Sequence, residues 1–192
     1  TYRGAERLKG RKALITGADS GIGRAVAIAY AREGADIALS YLPSEQADAD
    51  EVIGLIEAEG CMAVAIPGDI SNEVFSKQLV EEAASKLGGI DILVNNAGRQ
   101  LYVEKLEDLD ADQFESTFRT NVFAMFWITK AALKYLPVGA SIINTTSIQS
   151  YQPSPGLIDY ASTKGAITAF THGLGKQLAS RGIRVNAVAP GP

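Results

Sequence analysis

The sequence predicts an α/β protein built around a doubly wound parallel β-sheet, and three observations carry this prediction. Short β-branched runs alternate with longer stretches of helical periodicity along the whole chain. The expected strands are apolar on both faces, as in 90–94 (Ile-Asp-Ile-Leu-Val), which is typical of strands covered by helices on both sides. Six strands alternating with five helices then favour right-handed crossovers within one sheet.

Each element follows from its local pattern. Residues 12–16 are expected to form the first strand, and 21–33 a helix whose apolar residues share one face before Gly34 ends it. Glycines or prolines bound most of the later elements. Five further strands are expected at 36–41, 62–66, 90–94, 141–145 and 183–188, and four further helices at 44–59, 72–87, 112–135 and 159–179.

The composition excludes several classes of protein. With 18 Lys and Arg against 22 Asp and Glu, the net charge is −4, which argues against a nucleic-acid-binding surface. The single cysteine and single histidine exclude an intrachain disulfide and a metal site built on several such ligands. No apolar run approaches the roughly 20 residues of a membrane span, and residues 1–12 lack the apolar core of a signal peptide. We therefore expect a soluble cytoplasmic protein without nucleic-acid, membrane or metal partners.

The loop after the first expected strand has the composition of a phosphate-binding loop. Residues 16–23 read Thr-Gly-Ala-Asp-Ser-Gly-Ile-Gly, and the glycines let the backbone approach a pyrophosphate at the N-terminus of the next helix. Glycines also serve plain turns, but this position between strand and helix favours dinucleotide binding. The loop lacks Gly-Lys-Ser/Thr and is therefore not a Walker A loop. The candidate cofactor residues here are Gly17, Asp19, Ser20, Gly21, Ile22 and Gly23.

The end of the second strand bears on the choice between NAD and NADP. An acid there favours the free ribose 2′-hydroxyl, whereas a nearby cation favours the 2′-phosphate. Residues 39–45 (Leu-Ser-Tyr-Leu-Pro-Ser-Glu) supply neither at the turn, and Ser20 is not basic. Because no cation is available for a phosphate, the sequence leans to NAD, with Tyr41 as a candidate contact.

Candidate catalytic groups follow the fifth strand. Tyr160 and Lys164 lie four residues apart on one expected helix and so share a face. A nearby ammonium favours the phenolate over the phenol, which suits the pair to proton exchange with a substrate hydroxyl or carbonyl. Ser147 is placed to hydrogen-bond a carbonyl oxygen as negative charge builds on it. A Tyr-x3-Lys pair also arises by chance, and Ser147 also suits a simple turn.

Asparagines mark two further positions. Residues 95–98 (Asn-Asn-Ala-Gly) follow the fourth strand, where such a run forms a turn or lines a cofactor crevice. Asn121 lies inside the long expected helix, although asparagine has a low helix propensity. It is either solvated there or holds a water or a lysine in place.

Together these motifs resemble the short-chain dehydrogenase/reductase family. The motifs Thr16-Gly-x3-Gly-x-Gly23, Asn95-Asn-Ala-Gly98, Ser147, Tyr160-x3-Lys164 and Pro190-Gly191 occur in that family's order and approximate spacing, over nearly the whole chain. The resemblance implies that Tyr160 is the catalytic acid/base, that Lys164 modulates it and holds the nicotinamide ribose, and that Ser147 polarises the carbonyl. Asn121 would support a water relay to Lys164. The implied cofactor contacts are Asp69, Ile70, Asn95, Ala97, Gly98, Tyr160, Lys164, Pro190 and Gly191.

The resemblance also implies a function and an assembly. It implies a Rossmann-like sheet and hydride transfer between NAD or NADP and a small aldehyde, ketone or sugar, in a homotetramer or dimer. Residues 41–45 and 147–155 are similar to bacterial aldehyde reductases or glucose-dehydrogenase-like oxidoreductases. Family chains continue past Pro190-Gly191 into a substrate-covering segment and a final strand. We therefore expect 1–192 to be a single dinucleotide-binding oxidoreductase domain, truncated at its C-terminal end and lacking that strand.

Two alternatives stay open at this point. A redox sensor that binds NAD(P) without turnover shares the glycine loop, but it does not need Ser147, Tyr160 and Lys164 together. The epimerase/dehydratase branch shares Tyr-x3-Lys, yet its glycine loop requires a glycine where Ser20 stands.

Overall fold

A parallel sheet forms the centre of the molecule. Its strands are β1 (Lys12–Thr16), β2 (Asp36–Tyr41), β3 (Ala63–Pro67), β4 (Ile92–Asn95), β5 (Ser141–Thr145) and β6 (Arg184–Val188). The computed structural model describes residues 2–191, so Thr1 and Pro192, the ends of the expected domain, lie outside the described residues. Within them the strand order is β3-β2-β1-β4-β5-β6, and every pairing is parallel. The predicted doubly wound sheet is confirmed.

The strand order fixes where a ligand can bind. The chain first winds outward from β1 to β3, and then returns to pair β4 with the other side of β1. The crossovers on either side of β1 therefore leave in opposite directions, and a crevice opens at the carboxyl ends of β1 and β4. This is the edge that receives the glycine loop and the Asn-Asn-Ala-Gly segment.

Helices cover both faces of the sheet. They are α1 (Gly21–Arg32), α2 (Gln46–Ala58), α3 (Glu73–Leu87), α4 (Ala111–Phe118), α5 (Ala124–Ala132) and α6 (Ile158–Leu178). Successive side chains of a strand point to opposite faces. Accordingly, Leu14 packs in one buried cluster with Leu79, while Ile15 packs in a second cluster with Val52. The apolar character of both strand faces is thereby explained.

The prediction of one continuous helix at 112–135 is wrong. A π-helical turn at Arg119–Phe123 separates α4 from α5, and the regular helix ends at Ala132. Asn121 lies inside this turn, where its side chain bonds to groups outside the helix. Such turns often occur at functional sites because they reposition a single side chain. The other boundaries differ from the expected ones by only one or two residues.

Gly23 determines how closely α1 packs on the glycine loop. A Cβ atom at this position would overlap the carbonyl oxygen of Gly17 and stand 2.7 Å from Asn96 Nδ2. By contrast, a Cβ atom at Gly54, on the exposed face of α2, would meet no atom within 4 Å. The two glycines therefore differ in the space around them, although both are helical.

We expect Gly23→Ala to lower the free energy of unfolding by about 1–3 kcal/mol, because an overpacked site relaxes only by moving the backbone. Gly54→Ala is the matched control and should raise the free energy of unfolding by about 0.5–1 kcal/mol, since alanine loses less chain entropy on folding. Urea unfolding of both variants measures the changes. A Gly23→Ala protein as stable as the parent would contradict the packing argument.

Candidate active site

A crevice of about 870 Å³ opens at the carboxyl ends of β1, β2 and β4. This volume lies within the roughly 300–1,000 Å³ that is usual for small-molecule and cofactor sites. Most of the sequence-predicted cofactor residues line it, namely Gly17, Asp19, Ser20, Gly21, Ile22, Tyr41, Asp69, Ile70, Ala97, Gly98, Tyr160 and Lys164. The fold thus brings together residues from five separate segments of the chain.

The glycine loop forms the cradle of the crevice. Gly17 and Gly21 have φ values of +60° and +52°, which residues with a side chain rarely adopt. A Cβ atom at Gly17 would stand only 3.0 Å from the Cα of Ala97, so the loop and the segment after β4 close on each other. Ser20 immediately precedes α1 and its side chain makes no capping hydrogen bond, which leaves the first-turn N–H groups available to an anion. The loop therefore fits a pyrophosphate.

Four of the predicted cofactor residues lie outside the lining of this crevice. Gly23 packs under the loop, and Pro190 and Gly191 line a neighbouring pocket. Asn95 turns inward, where its Nδ2 donates to Thr129 Oγ1 at 3.0 Å and to Asn144 Oδ1 at 2.9 Å. Asn95 therefore secures β4 to its neighbours.

The residue after Asn95 faces the glycine loop instead. Asn96 Nδ2 donates to the carbonyl oxygens of Thr16 and Gly17, at 3.2 and 3.1 Å. The Thr16 hydroxyl in turn accepts the backbone N–H groups of Asn96 and Ala97. The ends of β1 and β4 are thus held together directly beneath the crevice.

Lys164 is a buried cation next to Tyr160. Only 3% of Lys164 is exposed, its Nζ donates to the carbonyl oxygen of Thr145 at 2.8 Å, and Nζ lies 5.2 Å from the centre of the Tyr160 ring. Loss of hydration on burial lowers the pKa of Lys164 to about 8. The α6 spacing therefore places an ammonium and a phenol side by side, as predicted.

Ser147 shares a pocket with the same phenol. It lines a second pocket of about 360 Å³, and Tyr160 lines both this pocket and the crevice. Ser147 Oγ accepts the backbone N–H of Gln149 at 3.1 Å, which leaves the hydroxyl proton available to a further acceptor. Tyr160 therefore stands at the junction between a cofactor-sized crevice and a smaller pocket.

The Asn121 side chain binds the backbone that borders the crevice. Its Oδ1 accepts the N–H of Arg99 at 2.7 Å, and its Nδ2 donates to the Arg99 carbonyl oxygen at 2.9 Å and to Thr163 Oγ1 at 3.1 Å. A methyl group at Gly98 would lie 3.6 Å from Asn121 Oδ1 and 3.7 Å from Lys164 Nζ. Asn121 and Lys164 therefore flank the same glycine, and the water relay between them stays a prediction.

Several site residues were not found from the sequence. Arg99 and Gln100 line the crevice directly after the Asn-Asn-Ala-Gly segment. Asp159, 1% exposed, accepts hydrogen bonds from Thr117 Oγ1 and from the backbone N–H of Tyr160, both at 2.7 Å. The sequence did contain an indication of its role, because Asp159 lies in the first turn of an expected helix, where the helix dipole favours an acidic side chain.

No metal centre accompanies these groups in the described part of the chain: residues 2–191 contain no cluster of three or more His, Cys, Asp or Glu suited to a metal ion. No helix within the same range is long and apolar enough to cross a membrane.

The sheet order, the glycine cradle and the Ser147, Tyr160 and Lys164 arrangement define a Rossmann-like α/β protein with a polar site above the sheet. Residues 11–192 match the family described as short chain dehydrogenase, and the chain belongs to this family.

Named relatives agree with this assignment. The chain is 63% identical, over all of its 192 residues, to the uncharacterized oxidoreductase YhxD of Bacillus subtilis (strain 168), and covers 64% of that protein. It is 45% identical to NADPH-dependent aldehyde reductase 1, chloroplastic, of Arabidopsis thaliana, with 100% of this chain and 68% of that protein covered. The chain thus spans slightly less than two thirds of the length of its more similar relatives.

The same fold occurs in a solved structure. A short chain dehydrogenase from Burkholderia cenocepacia J2315 in complex with NADP superimposes with a TM-score of 0.93 at 40% identity, covering 96% of this chain and 75% of that one.

Burial of Lys164 gives a pH-dependent stability. The penalty for its buried charge is fully present below the folded-state pKa of about 8. It is relieved as the pH rises toward ~10.4, because the unfolded chain then holds the proton more tightly than the folded one. We expect the parent protein to gain stability relative to the Lys164→Met variant as the pH rises. The difference between their free energies of unfolding should increase by about 2 kcal/mol between about pH 7 and about pH 9.5. Urea unfolding at both pH values measures this, and parallel pH profiles would contradict it.

Proposed function

We propose that this chain forms the cofactor and catalytic part of a NAD(P)-dependent oxidoreductase that interconverts a small aldehyde, ketone or sugar carbonyl and the corresponding alcohol. The observation that carries the proposal is the position of Tyr160, which lines both the crevice and the pocket of Ser147. A general acid must lie within hydrogen-bond reach of the atom that it protonates, and this position brings Tyr160 to both the cofactor-sized crevice and the smaller pocket.

The residues divide the chemistry among them. A nicotinamide cofactor held by the glycine loop and Lys164 would supply the hydride to the carbonyl carbon, or would accept it in the reverse direction. The Ser147 hydroxyl donates to the carbonyl oxygen, because its own oxygen already accepts from Gln149. Tyr160 gives its proton to the same oxygen, so that C=O becomes CH–OH, and takes it back in the reverse direction. Lys164 stabilises the phenolate that this leaves.

The rival functions make different use of these groups. A redox sensor has no need of a hydroxyl, a phenol and an ammonium around a second pocket, which here adjoins the crevice through Tyr160. An epimerase or dehydratase of this type would require a glycine at position 20, whereas this chain has Ser20, which lines the crevice. The arrangement therefore favours carbonyl–alcohol redox chemistry.

The first test separates catalysis from cofactor binding. Tyr160→Phe should lower kcat at least ~100-fold, since it removes the proton that general acid catalysis requires. It should change the dissociation constant for the reduced cofactor less than about threefold, because the ring is retained. Tyr30→Phe, on the half-buried face of α1, is the control and should keep full activity. Equal loss of binding and turnover in Tyr160→Phe would instead indicate a structural role.

We propose NADP(H) as the cofactor, in place of the NAD that the sequence favours. The relatives whose names or structures state a cofactor support this, namely the NADPH-dependent aldehyde reductase and the NADP complex. At the end of β2, Ser40 and Leu42 line the crevice together with Glu45, whose carboxylate accepts the Leu42 N–H at 3.0 Å. The Glu45 carboxylate is thus already bonded to the backbone. It is therefore less available to bind the free ribose 2′-hydroxyl of NAD.

Titration of the protein with each reduced cofactor decides the matter. Nicotinamide fluorescence should show at least ~10-fold tighter binding of NADPH than of NADH, which corresponds to about 1.4 kcal/mol of additional binding free energy. Tighter binding of NADH would restore the preference that the sequence indicates.

We also propose a homo-oligomer. The α4–α5 surface exposes Phe114, Phe123 and Phe126 to solvent, each by at least 40%. These three residues lie on α4, the π-helical turn and α5, and large exposed apolar side chains on neighbouring elements suit an interaction surface. This surface is therefore the candidate contact in a dimer or tetramer.

A further inference from the structure

The 360 Å³ pocket beside Tyr160 has a distinctive chemical character. The described residues that line it carry no charged side chain. Its apolar wall comes from Ile22, Ile148 and Leu157, and its polar side chains include Gln100, Gln149 and Ser147. A carboxylate-bearing substrate would find no cation here, whereas a neutral polar molecule would find several hydrogen-bonding groups.

The amide of Gln149 has a fixed orientation. Its Oε1 accepts the backbone N–H of Ser154 at 2.6 Å. Because only the oxygen end of an amide accepts a hydrogen bond, this contact leaves the two N–H donors of Nε2 at the free end of the side chain. Within residues 2–191, Nε2 makes no hydrogen bond to the protein, although Gln149 lines the pocket. The loop therefore holds a pair of donors in place for a ligand.

The threonine hydroxyls that line the same pocket are already engaged. Thr146 Oγ1 lies 2.9 Å from both the Lys164 carbonyl oxygen and Thr168 Oγ1, and Thr145 Oγ1 donates to Asn96 Oδ1 at 3.2 Å. Ser147 and Tyr160 are committed to the reacting carbonyl oxygen by the function proposed above. Gln149 is therefore free to recognise a different atom of the substrate.

We propose that Gln149 donates a hydrogen bond to a hydroxyl oxygen close to the reacting carbonyl, so that the substrate is a neutral hydroxyaldehyde or aldose and the product the matching polyol. This inference rests on the oxidoreductase function proposed above. An alkyl aldehyde would displace water from the half-buried Gln149 amide without offering an acceptor in its place, which is unfavourable. The hydroxyl takes no part in the redox step, in which hydride and proton convert only the carbonyl to an alcohol.

The test compares D-glyceraldehyde with propanal, which has the same carbon chain without hydroxyls, as substrates of the complete polypeptide that carries this chain. We expect kcat/KM for D-glyceraldehyde to exceed that for propanal. Gln149→Met preserves the length of the side chain and removes its donors, and should lower this ratio ~10-fold. The kcat/KM for propanal should change less than about threefold, because propanal makes no use of the amide.

Two further variants make the result specific. Gln152→Met, an exposed glutamine in the same loop and outside the pocket lining, should leave the ratio unchanged. Ser154→Pro removes the N–H that orients Gln149, and the φ of −75° at this position suits proline. It should lower the ratio while Gln149 is still present, and it decides the question if Gln149→Met does not fold.

The outcomes separate the inference from the function on which it rests. Propanal reduction with a ratio that is the same in the parent, Gln149→Met and Ser154→Pro would overturn the role of Gln149 alone. Failure to reduce either aldehyde, or a ketone and a free aldose assayed in parallel, would overturn the oxidoreductase proposal as well. A ratio that falls in both variants but not in Gln152→Met would establish Gln149 as the residue that recognises the hydroxyl.

Discussion

A buried ammonium group is the interaction on which the site depends. Lys164 donates to the carbonyl oxygen of Thr145, and this bond joins α6 to the end of β5. A charge away from water is tolerated only where hydrogen bonds or opposite charges surround it, so Lys164 has little freedom to move. Tyr160, one helical turn earlier, is consequently held over the crevice.

The position of Tyr160 also depends on contacts outside its own helix. Asp159 joins the start of α6 to Thr117 on α4, and Asn121 in the π turn joins Thr163 to the backbone of Arg99. Both side chains are buried and hydrogen-bonded, and the loss of either would leave unpaired polar groups. The interruption between α4 and α5 therefore belongs to the support of the site.

The sequence predicted the sheet, the glycine loop and the Tyr160–Lys164 pair because each leaves a local periodic or compositional pattern. It could not decide whether Asn95, the last residue of β4, or Asn96 directly after it faces the crevice. Consecutive residues of a strand point to opposite faces, so only the packing shows that Asn95 turns inward and Asn96 outward. The π turn also left no clear pattern, since the helical periodicity continues through it.

By itself the sequence determined the order of strands and helices, the tight turns at the glycines and the shared face of residues four apart. Those properties depend on neighbours along the chain. The tertiary structure alone decided that Ser147 and Tyr160 line one pocket, and that Ser154 orients the amide of Gln149. Such contacts join segments that are far apart in the sequence. Their free energy depends on how strands pair and how loops close over the sheet, and no local sequence pattern encodes this.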